Sequence, residues 1–183
     1  FRMNAGKRIE VDVFGKDAPS TLHGDNSSET QGAIAIRDYG RGIPQGKMIE
    51  AVSQLNTGGK YDSKAFKKSV GMNGVGVKAV NFLSTRFEVR SFRDGTMRRA
   101  YFERGILKED ETIPTEEENG TFIFFEPDNT LFTNYHFQDD IVAEMLRNYT
   151  YLNSGLIIMH NGRRIASRNG LQDLLKDNMS STP

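Results

Sequence analysis

Cysteine is absent from the 183 residues, which excludes disulfides and thiolate chemistry and suits a reducing compartment. No apolar run approaches the roughly 20 residues that a membrane-crossing helix needs. No stretch has the charged, apolar and small-residue pattern of a secretory signal. The expectation is a cytoplasmic chain with no membrane partner. Charge of one sign is also missing: 24 Lys and Arg balance 24 Asp and Glu, for a formal net charge of zero. No global basic field advertises nucleic acid, so any DNA role must be local or belong to other parts of a longer protein. The three histidines, His23, His136 and His160, are dispersed and lack ligand spacing, so no metal site is predicted from them. There are no internal repeats.

What is present is a globular pattern, 37% hydrophobic, with length for one sizeable core. Ile9, Val11 and Val13 alternate with polar residues and predict a half-buried strand. A Ser-, Asp- and Gly-rich loop follows, over residues 15–32. "AIAIR" predicts a second strand, ended by "DYGRGIP". "GKMIEAVSQLN" sets Met48, Ile49, Val52 and Leu55 on one helical face. Residues 56–74 are rich in glycine and lysine and without period, the profile of a functional or mobile stretch and here a lid candidate. Val77, Val80, Phe82 and Leu83 then suit a helix. "RFEVRSF", a turn at "RDG" and "TMRRAYFER" predict strands. "ILKEDETIPTEEENG" reads as a solvated acidic loop, and "TFIFFEP" as a strand stopped by Pro127. "FQDDIVAEMLRNYTYLN" predicts a helix with Ile141, Met145, Leu146 and Tyr149 at apolar spacing and acids at its positive end. "LIIMH" and "RRIAS" flank Asn161-Gly162, a strong hairpin signal. "NGLQDLLKD" predicts a last short helix, and "NMSSTP" a frayed end. The expected class is α+β: a mixed, mostly antiparallel sheet with helices gathered on one face.

Three elements carry chemistry. Gly71, Gly74 and Gly76 read G-x-x-G-x-G before a helix. Glycines often serve only turns or close packing, and this stretch fits neither of two familiar phosphate loops. It lacks the Gly-Lys-Ser/Thr ending of a Walker A, and a lysine-rich loop rather than a strand precedes it. What remains is a bare backbone at a helix start, whose N–H groups can face an anion, with Lys60, Lys64, Lys67 and Lys68 upstream. The second element is Asp38 at a strand end. The bland reading is a turn residue accepting backbone N–H bonds; the functional one is a carboxylate accepting the amino hydrogens of a base, with Gly40 and Gly42 letting the ligand approach. The third, Gly120-Thr121 at a strand start, means little alone.

In this order and spacing, the three elements resemble the Bergerat-fold (GHKL) ATPases. The strings "DYGRGIP", "NTGGKYDSKAFKKSVGMNGVGVKAVNFLS", "NGTFIFFEPD" and "YLNSGL" resemble, more narrowly, the ATPase domain of bacterial type IIA DNA topoisomerase B subunits, of gyrase or topoisomerase IV. "KKSVGMNGVG" leans toward the topoisomerase IV type. The resemblance implies a two-layer α/β sandwich of the Bergerat type that binds ATP and Mg²⁺. It implies that Asp38 binds the adenine amino group, partly through an ordered water that Thr121 shares. Gly42, Ile43 and Ile123 would complete the adenine site, and Arg41, Pro44 and Arg99 its rim. The phosphates would lie on Gly71, Met72, Asn73, Gly74, Val75 and Gly76, near Lys60 and Lys67.

The resemblance also places, on a helix before Phe1, the glutamate that polarises the attacking water and the asparagine that binds Mg²⁺. It assigns a γ-phosphate lysine to a following transducer domain. The 183 residues are therefore expected to be an N-terminal ATP-binding subdomain, monomeric by itself, with no catalytic residue of its own and no hydrolysis above background. The full-length enzyme would dimerise on ATP, act on DNA together with the topoisomerase A subunit, and take ATP-site inhibitors. A non-hydrolysing nucleotide-binding or interaction module of the same fold is the alternative.

Overall fold

The computed structural model describes residues 7–15, 32–54, 76–133 and 135–180. The expected lid at 56–74 lies outside them, as does the loop after Phe14 apart from Gly15 and Gly32. Eight strands form one sheet: β1 (Arg8–Phe14), β2 (Ala33–Asp38), β3 (Ser84–Arg93), β4 (Thr96–Glu103), β5 (Ile106–Pro114), β6 (Gly120–Pro127), β7 (Ile157–His160) and β8 (Arg163–Ala166). Their order is β5-β4-β3-β6-β2-β1-β7-β8, and every pairing is antiparallel except β1 with β7. The helices are α1 (Met48–Ser53), α2 (Gly76–Phe82), α3 (Asp139–Leu152) and α4 (Leu171–Ser180).

Residues paired directly across strands share a face, so the registers extend two apolar rows across the sheet. Phe102, Phe87, Phe125, Ile34 and Val13 form one; Ala100, Val89, Ile123, Ile36 and Val11 form the other. Met48 and Val52 of α1 bury themselves fully against the β3–β4 part of this face, with Val77 and Val80 of α2 beside them. Leu146 of α3 joins Val11, Leu156 and Ile158 farther along. α1, α2 and α3 thus cover one face, as the strand alternation and helical spacing predict.

Three expectations change. The acidic stretch read as a solvated loop is β5, whose nine residues are all exposed yet paired with β4 along its length. An edge strand wet on both sides has no apolar alternation to reveal it, and its charges discourage further strands from adding. Arg98–Asp110 (2.7 Å) and Arg99–Glu109 (2.6 Å) tie it down. In α3 the apolar spacing holds, but Ile141, Met145 and Tyr149 are exposed while Leu146 packs inward. The last helix runs on through Asn178 and Met179 to Ser180, and the rest of the expected frayed end, residues 181–183, lies outside the described residues. The Asn161-Gly162 and Asp94-Gly95 turns form as expected, with positive φ at both residues of each (46° and 76°; 52° and 79°).

Candidate functional site

Asp38 closes β2 with its side chain on the helix-covered face, because it continues the alternation of Ile34 and Ile36. Its Oδ1 accepts the backbone N–H of Gly40 (2.9 Å) and of Thr121 (3.2 Å). The turn role and the binding role are therefore compatible. Oδ1 organises the loop, and among the described residues no hydrogen bond falls on Oδ2. Thr121 is buried, 8% exposed, and leads along β6 to Ile123, which packs against the main core. Sequence positions 83 residues apart meet here because β2 and β6 are neighbours in the sheet.

The glycines decide how closely these strands approach. Gly120 has φ +149°, and a Cβ there would overlap the Asp38 carbonyl oxygen and the Arg37 Nη1, with the Asp38 carbonyl carbon at 2.9 Å. Gly42 has φ +73°, and its Cβ would meet the carbonyl oxygens of Phe92 at 2.7 Å and Gly120 at 2.9 Å. Only glycine fits either position. The loop beyond is then fastened to the β3–β4 hairpin. The Ser91 hydroxyl donates to the Ile43 carbonyl (2.5 Å), and Gln45 Nε2 donates to the carbonyls of Ser91 and Thr96, both at 3.1 Å. Arg98 adds a bond to the Gln45 carbonyl. Ile43 thereby joins the core edge, while Arg41 and Pro44 stay at the surface.

The structure therefore gathers Asp38, Gly42, Ile43, Thr121 and Ile123. It does not bring Arg99 to them. Arg99 pairs with Arg90, and Arg90 with Phe122, whereas Thr121 pairs with Ser91 and Ser91 with Arg98. Arg99 therefore projects from the opposite face. There it bonds to buried Glu88 (2.9 Å) and to Glu109 (2.6 Å). Burial pulls its pKa down, but these bonds outweigh burial and hold it above the ordinary value. The arginine on Thr121's side is Arg98, one residue earlier. Lys60, Lys67 and Gly71 to Val75 lie outside the described residues; Gly76 is the first residue of α2, with open space where a Cβ would stand. Two cavities, one of about 620 Å³ beside Tyr39 and Glu116 to Glu118, the other of about 310 Å³ beside α2 and Phe137, are not lined by Asp38 or Thr121.

The DNA topoisomerase 4 B subunit of Borreliella burgdorferi is 47% identical over 148 residues, 81% of this chain and 25% of that protein. The chain belongs to the family of the ATPase domains of bacterial type IIA DNA topoisomerase B subunits. The DNA gyrase B subunit of Mycolicibacterium smegmatis is 32% identical over 94% of the chain. The chain spans about a quarter of the length of these curated relatives. No protein-family model matches it. The crystal structure of the 43K ATPase domain of Thermus thermophilus gyrase B, in complex with an aminocoumarin, superposes with a TM-score of 0.72 over 98% of the chain and 45% of that one, at 21% identity. This chain thus has the Bergerat fold.

Sequence reading of the candidate site misses residues that brace it. Gln45 and Ser91 look like ordinary loop and strand residues until the hairpin folds over them. Gly120 is visible in the sequence, but its purpose is not: it is the point where β6 touches the end of β2. Arg37 carries no signal beyond being a charged residue inside an apolar strand.

Proposed function

We propose that this chain is the N-terminal ATP-binding subdomain of a type IIA topoisomerase B subunit, of the topoisomerase IV type. The observation that carries the reading is the meeting of Asp38 and Thr121 beside Gly42, Ile43 and Ile123. Asp38 Oδ1 already holds two backbone donors, which leaves Oδ2 to accept the amino group of adenine, directly or through a water shared with Thr121. Ile43 and Ile123 supply apolar walls for the ring, and Arg41 and Pro44 the mouth. Lys60, Lys67 and the backbone of Gly71 to Gly76 would receive the triphosphate. In the full-length enzyme, ATP would close two such domains into a clamp on a DNA duplex. Hydrolysis would reset it after the partner A subunit has cut and resealed DNA.

Calorimetric titration with an ATP analogue and with an ATP-site inhibitor tests this reading. Both are expected to bind. Asp38→Asn sets an amide N–H₂ where an acceptor is needed, and is expected to weaken both by about 1 to 3 kcal/mol, the range for a buried hydrogen bond left unmade. Unchanged affinity would remove Asp38 from the site.

We further propose that the 183 residues alone hydrolyse ATP only at background rate. None of them matches the family's water-polarising glutamate. Glu10, on β1, shares the sheet face of Arg37 and pairs with Arg8 at 3.3 Å. It is therefore on the wrong side of the sheet to reach a water near Asp38, and a general base must be within one water of its proton. A phosphate-release assay showing Mg²⁺-dependent turnover by this chain would overturn the proposal.

A further inference from the structure

We propose that Arg37 is a positioning residue for Asp38, acting from the opposite face of the sheet; the proposal rests on the adenine-binding reading of Asp38. Arg37 projects away from the helix-covered face, next in sequence to Asp38 and paired with Phe122 and Glu10. Its guanidinium curls back over the strand end. Nη1 donates to the carbonyl of Asp38 (2.6 Å), and Nη2 to the carbonyl of Glu118 (2.6 Å). One face of the group lies over the Phe92 ring (4.1 Å to its centre) and it also reaches the Tyr39 ring (4.7 Å). Arg8 stacks on the same Tyr39 ring at 3.9 Å.

This arrangement fixes what the ladder leaves loose. The β2–β6 register runs from Ile34–Phe125 to Arg37–Phe122. The peptide after Asp38 must then turn into the glycine loop. Holding its carbonyl fixes ψ of Asp38, and with it the direction in which the carboxylate leaves the backbone. The second arm ties the same point to the segment before Gly120, whose neighbour Thr121 supplies the N–H on Oδ1. Both groups that would share the adenine contact are thus indexed to one guanidinium. A planar fork that bonds two carbonyls while lying against aromatic rings is a geometry lysine does not reproduce.

The experiment measures the binding of adenylyl imidodiphosphate to the chain, its Arg37→Met, Arg37→Lys and Asp38→Asn variants, and the Arg37→Met/Asp38→Asn double variant. Amide NMR spectra of each are recorded alongside. Arg37→Met and Arg37→Lys are both expected to weaken binding about tenfold, the loss of one charge-assisted hydrogen bond. The Gly40 and Thr121 amide signals should move while those of α3 and β7 stay. The double variant should bind within about twofold of Asp38→Asn alone, because an effect exerted through Asp38 cannot be lost twice. Independent, additive losses would overturn the proposal, as would lysine binding like the parent chain. Failure of the parent chain to bind the analogue would bring down the adenine reading and this inference together. Weakening by Asp38→Asn with none by Arg37→Met would bring down only the latter.

Discussion

Gly120→Ala is expected to destabilise the chain by about 3 to 5 kcal/mol, the sum of a disfavoured backbone conformation and an overpacked contact. For a domain of this size that lowers the melting midpoint by about 6 to 20 °C. The added Cβ would overlap the Asp38 carbonyl oxygen, a backbone atom at a strand end that cannot rotate away as a side chain can. Relief requires β6 to draw back from β2, which stretches the Thr121 N–H bond to Asp38 Oδ1. Binding of an adenine nucleotide should therefore fall below detection even at temperatures where the variant is folded. Gly95→Ala is the control: φ is +79°, but open space surrounds its Cβ position. It should lose about 1 to 2 kcal/mol from conformation alone and keep its ligand. Scanning calorimetry that found the two variants equally stable would show that the β2–β6 approach is not tight.

Phe87→Ala should cost a similar amount, about 3 to 5 kcal/mol, with a different signature. Phe87 is fully buried under α1 and meets Phe102 edge-on, ring centres 6.0 Å apart at 71°. Removing it leaves a cavity where Met48, Val52 and Phe102 converge, and well-packed neighbours collapse only partly into such a space. It lies in the apolar row that ends far from the Asp38 turn, so nucleotide affinity measured well below the melting midpoint should stay within about threefold of the parent chain. Ile113→Ala, on the exposed edge strand β5, should shift stability by less than about 0.5 kcal/mol. Denaturant melts of the three proteins separate these cases. A Phe87 variant as stable as the Ile113 variant would contradict the core assigned to this face.

How much of this is legible in the sequence depends on the range of the signal. Ile9, Val11 and Val13 announce β1, and Asn161-Gly162 announces a hairpin, because period and turn chemistry are local properties. β5 escapes, since an edge strand with both faces in water owes its conformation to the ladder offered by β4 and not to its own side chains. Of the candidate site, Asp38, Gly42, Ile43, Thr121 and Ile123 are readable through the family's motifs. Arg99 reads with them, but strand alternation sends it to the other face, where Glu88 and Glu109 take its charge. Counting residues along a motif does not show which side of a sheet each one leaves.

By itself the sequence determined the class of fold, the strand and helix order along most of the chain, and the family, through glycines and an aspartate at characteristic intervals. Only the tertiary structure decided that Gly120 is the point of closest approach to Asp38, that Gln45 and Ser91 anchor the loop, and that Arg37 grips the strand end from behind. The reason is physical. Periodicity and turn preference are properties of neighbouring residues, whereas a hydrogen bond between positions 38 and 121 exists only after the sheet has set β2 against β6.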